Sequence, residues 1–148
     1  MNPKNDSLDK LVSYLCEYAA SFLKLASIEC RFDVPDYVPK HPLSSEMRHN
    51  LFLALKEALN NVAKHSEATE VRLGVKIKDG MLSIRIHDNG RGFEIPKSYL
   101  VGNGLQNMEK RVQRVRGQFE LKSEPGKGTQ ILLQCPLPNE RRIPLSEK

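Results

Sequence analysis

The sequence predicts an α+β fold, a two-layer sandwich whose mixed, mostly antiparallel sheet is covered on one face by helices. The first observation is a set of segments with apolar residues at three- and four-residue steps, which is the period of a helix with one buried face. The second is a set of shorter segments in which apolar and polar residues alternate, as in half-buried strands. The third is their order: helix, strand, helix, two strands, helix, two strands, with short turns that favour antiparallel hairpins.

The composition fits one globular domain with its own core, since 39% of the 148 residues are hydrophobic and 28% are charged. No apolar run approaches the roughly 18 residues of a membrane span, so we expect no direct membrane contact. The net charge of +5 suits nucleic acid, but basic and acidic residues are mixed along the chain. We therefore expect no nucleic-acid partner, because a polyphosphate ligand or an acidic protein explains the charge equally well.

The cysteines and histidines show no pattern of a metal or redox site. The three cysteines, Cys16, Cys30 and Cys135, are widely spaced without a CxxC motif, so reduced thiols are expected. The four histidines lack metal-ligand spacing. No Ser/His/Asp nucleophile arrangement can be assembled from this sequence either.

The first predicted helix covers residues 8–26, with Ser7 placed to cap it. Residues 28–34 alternate and predict a strand. Three prolines (35, 39 and 42) then predict an irregular connector, because proline lacks the N–H that a ladder or a helix interior needs. The helix stripe is Leu8, Leu11, Leu15, Tyr18, Ala19, Phe22 and Leu25, and the strand places Ile28, Cys30, Phe32 and Val34 on one side.

The second predicted helix begins at Ser44 or Ser45, either of which can cap it, and runs to about His65. At about 100° per residue, its polar side chains Glu57, Asn61 and Lys64 share a stripe nearly opposite the apolar contact. The buried stripe consists of Phe52, Leu55, Leu59 and Val62.

Two alternating segments, 71–77 and 82–86, predict strands joined by the hairpin turn Lys78-Asp79-Gly80. Asp88 continues the buried side of the second strand, and a carboxylate in that position usually points at a partner. Residues 89–103 have little periodicity and predict a loop.

The last third of the chain predicts a short helix and two strands. The helix begins near Gly104 and ends at Gly117, because a glycine commonly terminates a helix. Strands around residues 119–121 and 131–135 flank the turn Pro125-Gly126-Lys127-Gly128, and the tail 139–148 is expected to be flexible. The helix stripe is Leu105, Met108, Val112 and Val115.

The polar stripe of the second helix has the chemistry of a magnesium–phosphate site. The amide oxygen of Asn61 suits Mg²⁺, which prefers oxygen ligands. Glu57 can accept a proton from a nearby water or hydroxyl, and Lys64 can neutralise phosphate oxygens. The alternative is that this stripe is only the solvated face of the helix.

Two glycine-containing motifs follow. In Asp88-Asn89-Gly90-Arg91-Gly92-Phe93 the carboxylate can accept from an exocyclic amine such as that of adenine, while glycine lets the backbone pass close to a flat ligand. The alternative is a tight turn, although no clean strand follows. In Gly102-Asn103-Gly104-Leu105 the amides at a helix N-terminus can bind phosphate, or Asn103 is simply a cap. The spacing is neither that of a Gly-Lys-Ser/Thr phosphate loop nor that of a dinucleotide fingerprint.

Taken together, these segments resemble the ATP-binding catalytic domain of bacterial sensor histidine kinases. The resemblance covers about residues 28–138 and implies the Bergerat α/β sandwich. The Lys-His ending of its first motif is similar to the nitrate-sensor and desaturase-thermosensor subfamily. The segments that carry it are Glu57-Ala58-Leu59-Asn60-Asn61-Val62-Ala63-Lys64-His65, Asp88-Asn89-Gly90-Arg91-Gly92-Phe93, Gly102-Asn103-Gly104-Leu105, Arg116-Gly117-Gln118-Phe119 and Ser123-Glu124-Pro125-Gly126-Lys127-Gly128-Thr129.

The resemblance implies ATP and Mg²⁺ as cofactors. Asn61 would coordinate Mg²⁺, and Glu57 would orient or deprotonate a catalytic group. Lys64 and His65 would lie near the phosphates, and Asp88 would hold the adenine amine. The remaining implied nucleotide contacts are Gly90 and Gly92 in the base pocket, Gly102, Gly104 and Leu105 at the end of a mobile lid over residues 94–101, and Thr129 behind the adenine.

The resemblance also implies that this chain is part of a longer sensor. Residues 1–27 would be a helix linking it to a missing dimerisation hairpin, 28–138 the catalytic domain and 139–148 a flexible tail. The phosphoacceptor would be a histidine on that hairpin of the same full-length kinase, because the chain has no histidine before His41. A response regulator would then receive the phosphoryl group. The expected location is the cytoplasmic part of a membrane-bound sensor, with the isolated domain monomeric.

Two other functions stay open at this point. A stand-alone serine kinase of the anti-sigma-factor type belongs to the same superfamily, and its length is similar to that of this chain. A nucleotide-gated binding module without phosphotransfer is the non-catalytic alternative.

Overall fold

The computed structural model describes residues 7–93 and 104–138. One mixed sheet holds its five strands in the spatial order β1-β2-β3-β5-β4. β1 is parallel to β2, whereas the other neighbouring pairs are antiparallel. The elements are α1 (Leu8–Leu25), β1 (Glu29–Asp33), α2 (Ser45–Asn61), a π-helical segment (Val62–Ser66), β2 (Glu70–Lys78), β3 (Met81–Asp88), α3 (Gly104–Gln113), β4 (Gln118–Ser123) and β5 (Thr129–Pro136).

The core lies between the helices and one face of the sheet, as the alternation predicted. In β3, Ile84 and Ile86 are each 1% exposed, while Arg85 and His87, which alternate with them, are exposed. Asp88 continues the buried side. The turn before β3 is tight because Asp79 and Gly80 both have positive φ, 53° and 74°, which a two-residue hairpin requires.

α1 shares this core with the rest of the described chain. Leu15 and Leu23 are almost fully buried, and the Tyr18 ring meets Phe52 of α2 edge-on at 5.0 Å between centroids. The predicted stripe is wrong at Leu25, which is 90% exposed. That residue is the last of α1 and extends beyond the contact surface.

The two predicted serine caps differ in outcome. Ser44 is confirmed, since its hydroxyl accepts from the Met47 amide at 3.0 Å. Ser7 occupies the cap position of α1 without making a cap bond, because its hydroxyl donates to the Asp9 carboxylate instead.

The predicted end of the third helix at Gly117 needs correction. α3 ends at Gln113, and the left-handed conformation after it belongs to Arg116, with φ of 61°. Position 117 has no room for a side chain, because a Cβ there would lie 2.5 Å from the Gln134 carbonyl oxygen. Phe32 of β1 is also more exposed than predicted, at 45%, because β1 is a short edge strand.

Within residues 7–93 and 104–138, no helix is both long and apolar enough to cross a membrane. The predicted lid (94–101) and tail (139–148) lie outside the described residues.

Candidate functional site

A cavity of about 480 Å³ lies where the end of α2, the loop after β3, the start of α3 and the start of β5 meet. Its walls combine apolar side chains with a few polar groups, which is the usual make-up of a small-molecule site. The lining residues are Ala58, Asn61, Val62, His65, Ser66, Asp88, Arg91, Gly92, Phe93, Leu105, Thr129 and Ile131.

Asp88 is the charged group most completely removed from water in this cavity. It is only 3% exposed, it is the last residue of β3, and it pairs in register with Thr129 of β5. Burial raises the pKa of its carboxyl group, and the backbone amides of Gly90 and Thr129 partly oppose that rise. The Gly90 amide donates to Oδ1 at 2.8 Å. A buried carboxylate held by neutral amides is an acceptor for a ligand N–H group.

The helical wall is formed where α2 changes into the π-helical segment. Asn61 and His65 both line the cavity, together with Ser66. The predicted helix to His65 is therefore correct in extent but not in type, since the last turn is π-helical. The wider π turn, with i→i+5 bonding, brings residues four and five positions after Asn61 to the cavity and leaves Lys64 exposed.

The loop after β3 is held by close backbone contacts. A Cβ on Gly90 would lie 2.2 Å from the Ser66 carbonyl oxygen, and one on Gly92 would lie 2.0 Å from that of Glu124. Gly92 also has a positive φ of 64°. These glycines permit the approach of neighbouring protein backbone, and Gly92 additionally lines the cavity.

The β4–β5 turn closes the cavity from the other side. Gly128 has a φ of 76°, and a Cβ there would lie 2.1 Å from the Asp88 carbonyl oxygen. The Ser123 hydroxyl accepts from the Phe93 amide at 2.9 Å and lies 2.8 Å from Thr129 Oγ1. Ser123 therefore connects the loop after β3 to the residue that faces Asp88.

Residues 47–139 match the family described as "Histidine kinase-, DNA gyrase B-, and HSP90-like ATPase". The chain belongs to this ATPase family. That match includes every residue that lines the cavity.

Similar proteins agree with this assignment. The chain is 34% identical to Sensor histidine kinase LiaS of Bacillus subtilis over 86% of its own length and 34% of that protein. It is also 34% identical to Sensor protein VraS of Staphylococcus aureus (strain COL), over 74% of its own length and 29% of that protein. The ATPase domain thus spans about a third of the length of these curated relatives.

Two solved structures share the fold. The histidine kinase domain of the blue-light activated kinase from Erythrobacter litoralis EL346 has a TM-score of 0.70 at 22% identity, covering 86% of this chain and 61% of that one. The Acinetobacter baumannii histidine kinase AdeS has a TM-score of 0.71 at 14% identity, covering 90% and 66%. At these identities the likeness shows the fold alone, and it confirms the predicted two-layer α+β sandwich.

The ATPase domain brings together six of the residues that the sequence singled out. Glu57, Lys64 and Gly90 do not line the cavity. Gly104 is the first residue of α3, and Gly102 lies outside the described residues. The six that line it are Asn61, His65, Asp88, Gly92, Leu105 and Thr129.

Sequence reasoning gave no functional role to the six other lining residues of the ATPase domain, which are Ala58, Val62, Ser66, Arg91, Phe93 and Ile131. Ile131 was visible only as a core position of the last strand, and Arg91 and Phe93 only as letters within the glycine motif. Ser66 gave no signal at all, because it follows the last residue of the predicted helix. Across residues 7–93 and 104–138, no cluster of three or more His, Cys, Asp or Glu residues can hold a metal ion.

Proposed function

We propose that this domain binds Mg²⁺–ATP and transfers the γ-phosphoryl group to a histidine on a separate dimerisation hairpin of the same full-length sensor kinase. A response regulator would then take the phosphoryl group. The observation that carries the proposal is the presence of a buried carboxylate, Asp88, and an amide, Asn61, in the walls of one 480 Å³ cavity within an ATPase-family domain.

The adenine end of the cavity is assigned to Asp88. Its carboxylate accepts hydrogen bonds and is buried among apolar neighbours, where an unpaired acceptor is costly and a ligand amine is therefore favoured. Thr129 pairs with Asp88 in register and offers a hydroxyl beside the base. Gly92 brings bare backbone to the same wall.

The phosphate end is assigned to the helical wall. Asn61 offers a neutral oxygen, and Mg²⁺ commonly takes one or two protein ligands together with phosphates and water. When bound, the ion would neutralise charge on the phosphate oxygens. The N-terminus of α3 would add backbone amides through Gly104, and Gly102 and Leu105 would flank it.

The reaction would break the bond between the γ-phosphorus and the oxygen that bridges it to the β-phosphate. A new bond would form from phosphorus to an imidazole nitrogen, and ADP would leave. Glu57, one turn before Asn61 on α2, would orient or deprotonate the attacking group. Lys64 and His65 would stabilise charge on the phosphates. His41 does not fit the acceptor role, since its Nε2 bonds the Pro138 carbonyl within an irregular segment.

Calorimetric titration tests the binding step. We expect ADP and ATP to bind in the presence of Mg²⁺ with about micromolar affinity or weaker. This corresponds to a binding free energy of roughly −8 kcal/mol or a weaker value. No heat on titration, together with no competition between ADP and ATP, would refute the proposal.

Radiolabelled ATP tests the transfer step. The domain is mixed with the hairpin of its full-length protein, and the labelled product is treated with acid. Label that acid removes indicates a phosphohistidine. Acid-stable label on an anti-anti-sigma partner would favour the serine-kinase alternative, and nucleotide binding without any transfer would favour the binding module.

A further inference from the structure

Residues 65–67 are joined to Arg91 by three contacts, two with backbone carbonyl groups and one with a side chain, which we call the Arg91 junction. The Arg91 amide donates to the Ser66 carbonyl oxygen at 2.7 Å. Its side-chain Nε donates to the His65 carbonyl oxygen at 2.8 Å. Its Nη1 lies 3.4 Å from Glu67 Oε1.

The two segments of the junction leave no free space between them. A Cβ on Gly90 would lie 2.2 Å from the Ser66 carbonyl oxygen, so the chains are already in van der Waals contact. Glu67 adopts a left-handed φ of 55°, which a non-glycine residue keeps only when its surroundings hold it. The junction supplies such surroundings.

The junction connects the two walls of the cavity. On one side, His65 and Ser66 belong to the helical wall that also carries Asn61. On the other side, Arg91 lies three residues after Asp88, in the loop that carries Gly92. These contacts therefore join the wall assigned to the phosphates to the wall assigned to adenine.

We propose that Arg91 is a positioning residue: its Nε bond to the His65 carbonyl sets the separation of the two cavity walls, and so the affinity for the nucleotide. This inference rests on the proposed function. It assigns the effect to the hydrogen bond and not to the charge, because the Arg91 and Glu67 side chains are 61% and 75% exposed. An ion pair in that environment is screened by water and contributes little.

Two substitutions separate the hydrogen bond from the charge. In Arg91→Gln, the side-chain Nε2 is the same number of bonds from the backbone as the arginine Nε, so the donor is kept and the charge is lost. In Arg91→Lys, the charge is kept, but the planar donor at that position is lost. ADP affinity with Mg²⁺ is measured by calorimetry for the parent, Arg91→Ala, Arg91→Gln and Arg91→Lys.

We expect Arg91→Ala to bind ADP about fivefold more weakly than the parent. Arg91→Gln should recover most of that loss, whereas Arg91→Lys should recover little. Glu67→Gln, which removes only the ion pair, should bind within about twofold of the parent. Arg85→Ala, which removes an exposed arginine on the opposite face of the sheet, is the matched control and should also leave binding unchanged.

The opposite ranking of the ADP affinities of Arg91→Gln and Arg91→Lys contradicts the inference. If Arg91→Lys binds like the parent and Arg91→Gln like Arg91→Ala, Arg91 acts as a charge that contacts phosphate. Equal affinity in all Arg91 variants also overturns it. These outcomes leave the proposed function intact, because the parent still binds ADP. Failure of the parent to bind any adenine nucleotide removes the proposed function, and the inference with it.

Discussion

Burying the Asp88 carboxylate lowers the stability of the nucleotide-free fold, although the proposed function uses this carboxylate to bind adenine. A carboxylate that is 3% exposed is costly to keep charged, and burial raises the pKa of Asp88 above the ordinary 3.8. The folded protein therefore binds the proton of the Asp88 carboxyl group more tightly than the unfolded chain does. By linkage, the charged Asp88 carboxylate lowers the free energy of unfolding by its full amount at neutral pH. This loss of stability shrinks as the pH falls from the raised pKa towards the ordinary pKa.

Replacing Asp88 with Asn should therefore stabilise the nucleotide-free domain at pH 7, by a rise of a few degrees in melting temperature. Asn keeps an oxygen that can accept from the Gly90 amide and removes the buried charge. The gain over the parent should shrink as the pH is lowered, since the parent carboxyl then becomes neutral. Thermal melts of both proteins across the acidic range measure this, and a gain that grows at low pH would contradict the buried-charge explanation.

Asn61→Ala and Asp88→Ala should impair nucleotide binding in different ways. A hydrogen bond to a charged group contributes about 1.5–3 kcal/mol, so Asp88→Ala should weaken ADP binding roughly ten- to hundredfold, with or without metal. Asn61→Ala should reduce the part of the ADP affinity that depends on Mg²⁺ and leave metal-free ADP binding in place.

Calorimetry with Mg²⁺ and with a chelator separates the two variants, and a melt of each checks that it is folded. ADP binding like that of the parent in Asp88→Ala would refute the adenine assignment. Full Mg²⁺-dependent phosphotransfer in Asn61→Ala would refute the metal assignment.

At the scale of elements, the β4–β5 turn offers two glycines with similar backbone and different surroundings. Gly126 has φ of 81° with no atom within 4 Å of an added Cβ, whereas a Cβ on Gly128, with φ of 76°, would lie 2.1 Å from the Asp88 carbonyl oxygen. The left-handed conformation alone costs a non-glycine residue about 1–2 kcal/mol.

Gly126→Ala should therefore lower the melting temperature by only about 2–8 °C and leave ADP affinity near that of the parent. Gly128→Ala should lower it considerably more and weaken ADP binding, because Asp88 has to move. Equal loss of binding in both variants would mean that the contact between Gly128 and Asp88 does not position the carboxylate.

Several features of the elements could be predicted because their physical cause is local. The position of Asp88 on the cavity side follows from the alternation of Leu82, Ile84 and Ile86 before it. The π-helical segment could not be predicted, since a helical period of apolar residues does not show which carbonyl each amide will bond. His65, which lines the cavity, was singled out only through the family resemblance, and Ser66 was missed.

At the scale of the whole molecule, α1 packs into the core shared by the described residues, although the family resemblance assigned residues 1–27 to a linker outside the catalytic domain. Leu23 is 0% exposed, while Leu25 on the same helix is 90% exposed. Leu23→Ala should therefore cost about 2–5 kcal/mol of unfolding free energy, and Leu25→Ala within about 0.5 kcal/mol. Urea titration measures both, and equal small effects would show that α1 contributes little to the stability of this domain.

The fold class could be predicted because the order of periodic segments leaves few ways to bury their apolar faces. The position of β5 between β3 and β4 could not, because strand order depends on long-range packing that short turns do not encode. Spacing also did not reveal the close approach at Gly117, since the Gln134 backbone that excludes a side chain there is distant in sequence.

The parallel pairing of β1 with β2 sets an order for folding. β2 and β3 are separated only by Asp79 and Gly80, so this hairpin can form on the microsecond timescale. β1 has to find β2 across residues 34–69, which costs more loop-closure entropy before any contact forms. β5 has to reach β3 across a comparable stretch, residues 89–128, so loop length does not rank these two pairings. Because β1 is an edge strand paired on one side only, we expect it to open first. β3 lies between β2 and β5 in the middle of the sheet, so the carboxylate proposed to recognise adenine lies on a strand that stays folded while that edge opens.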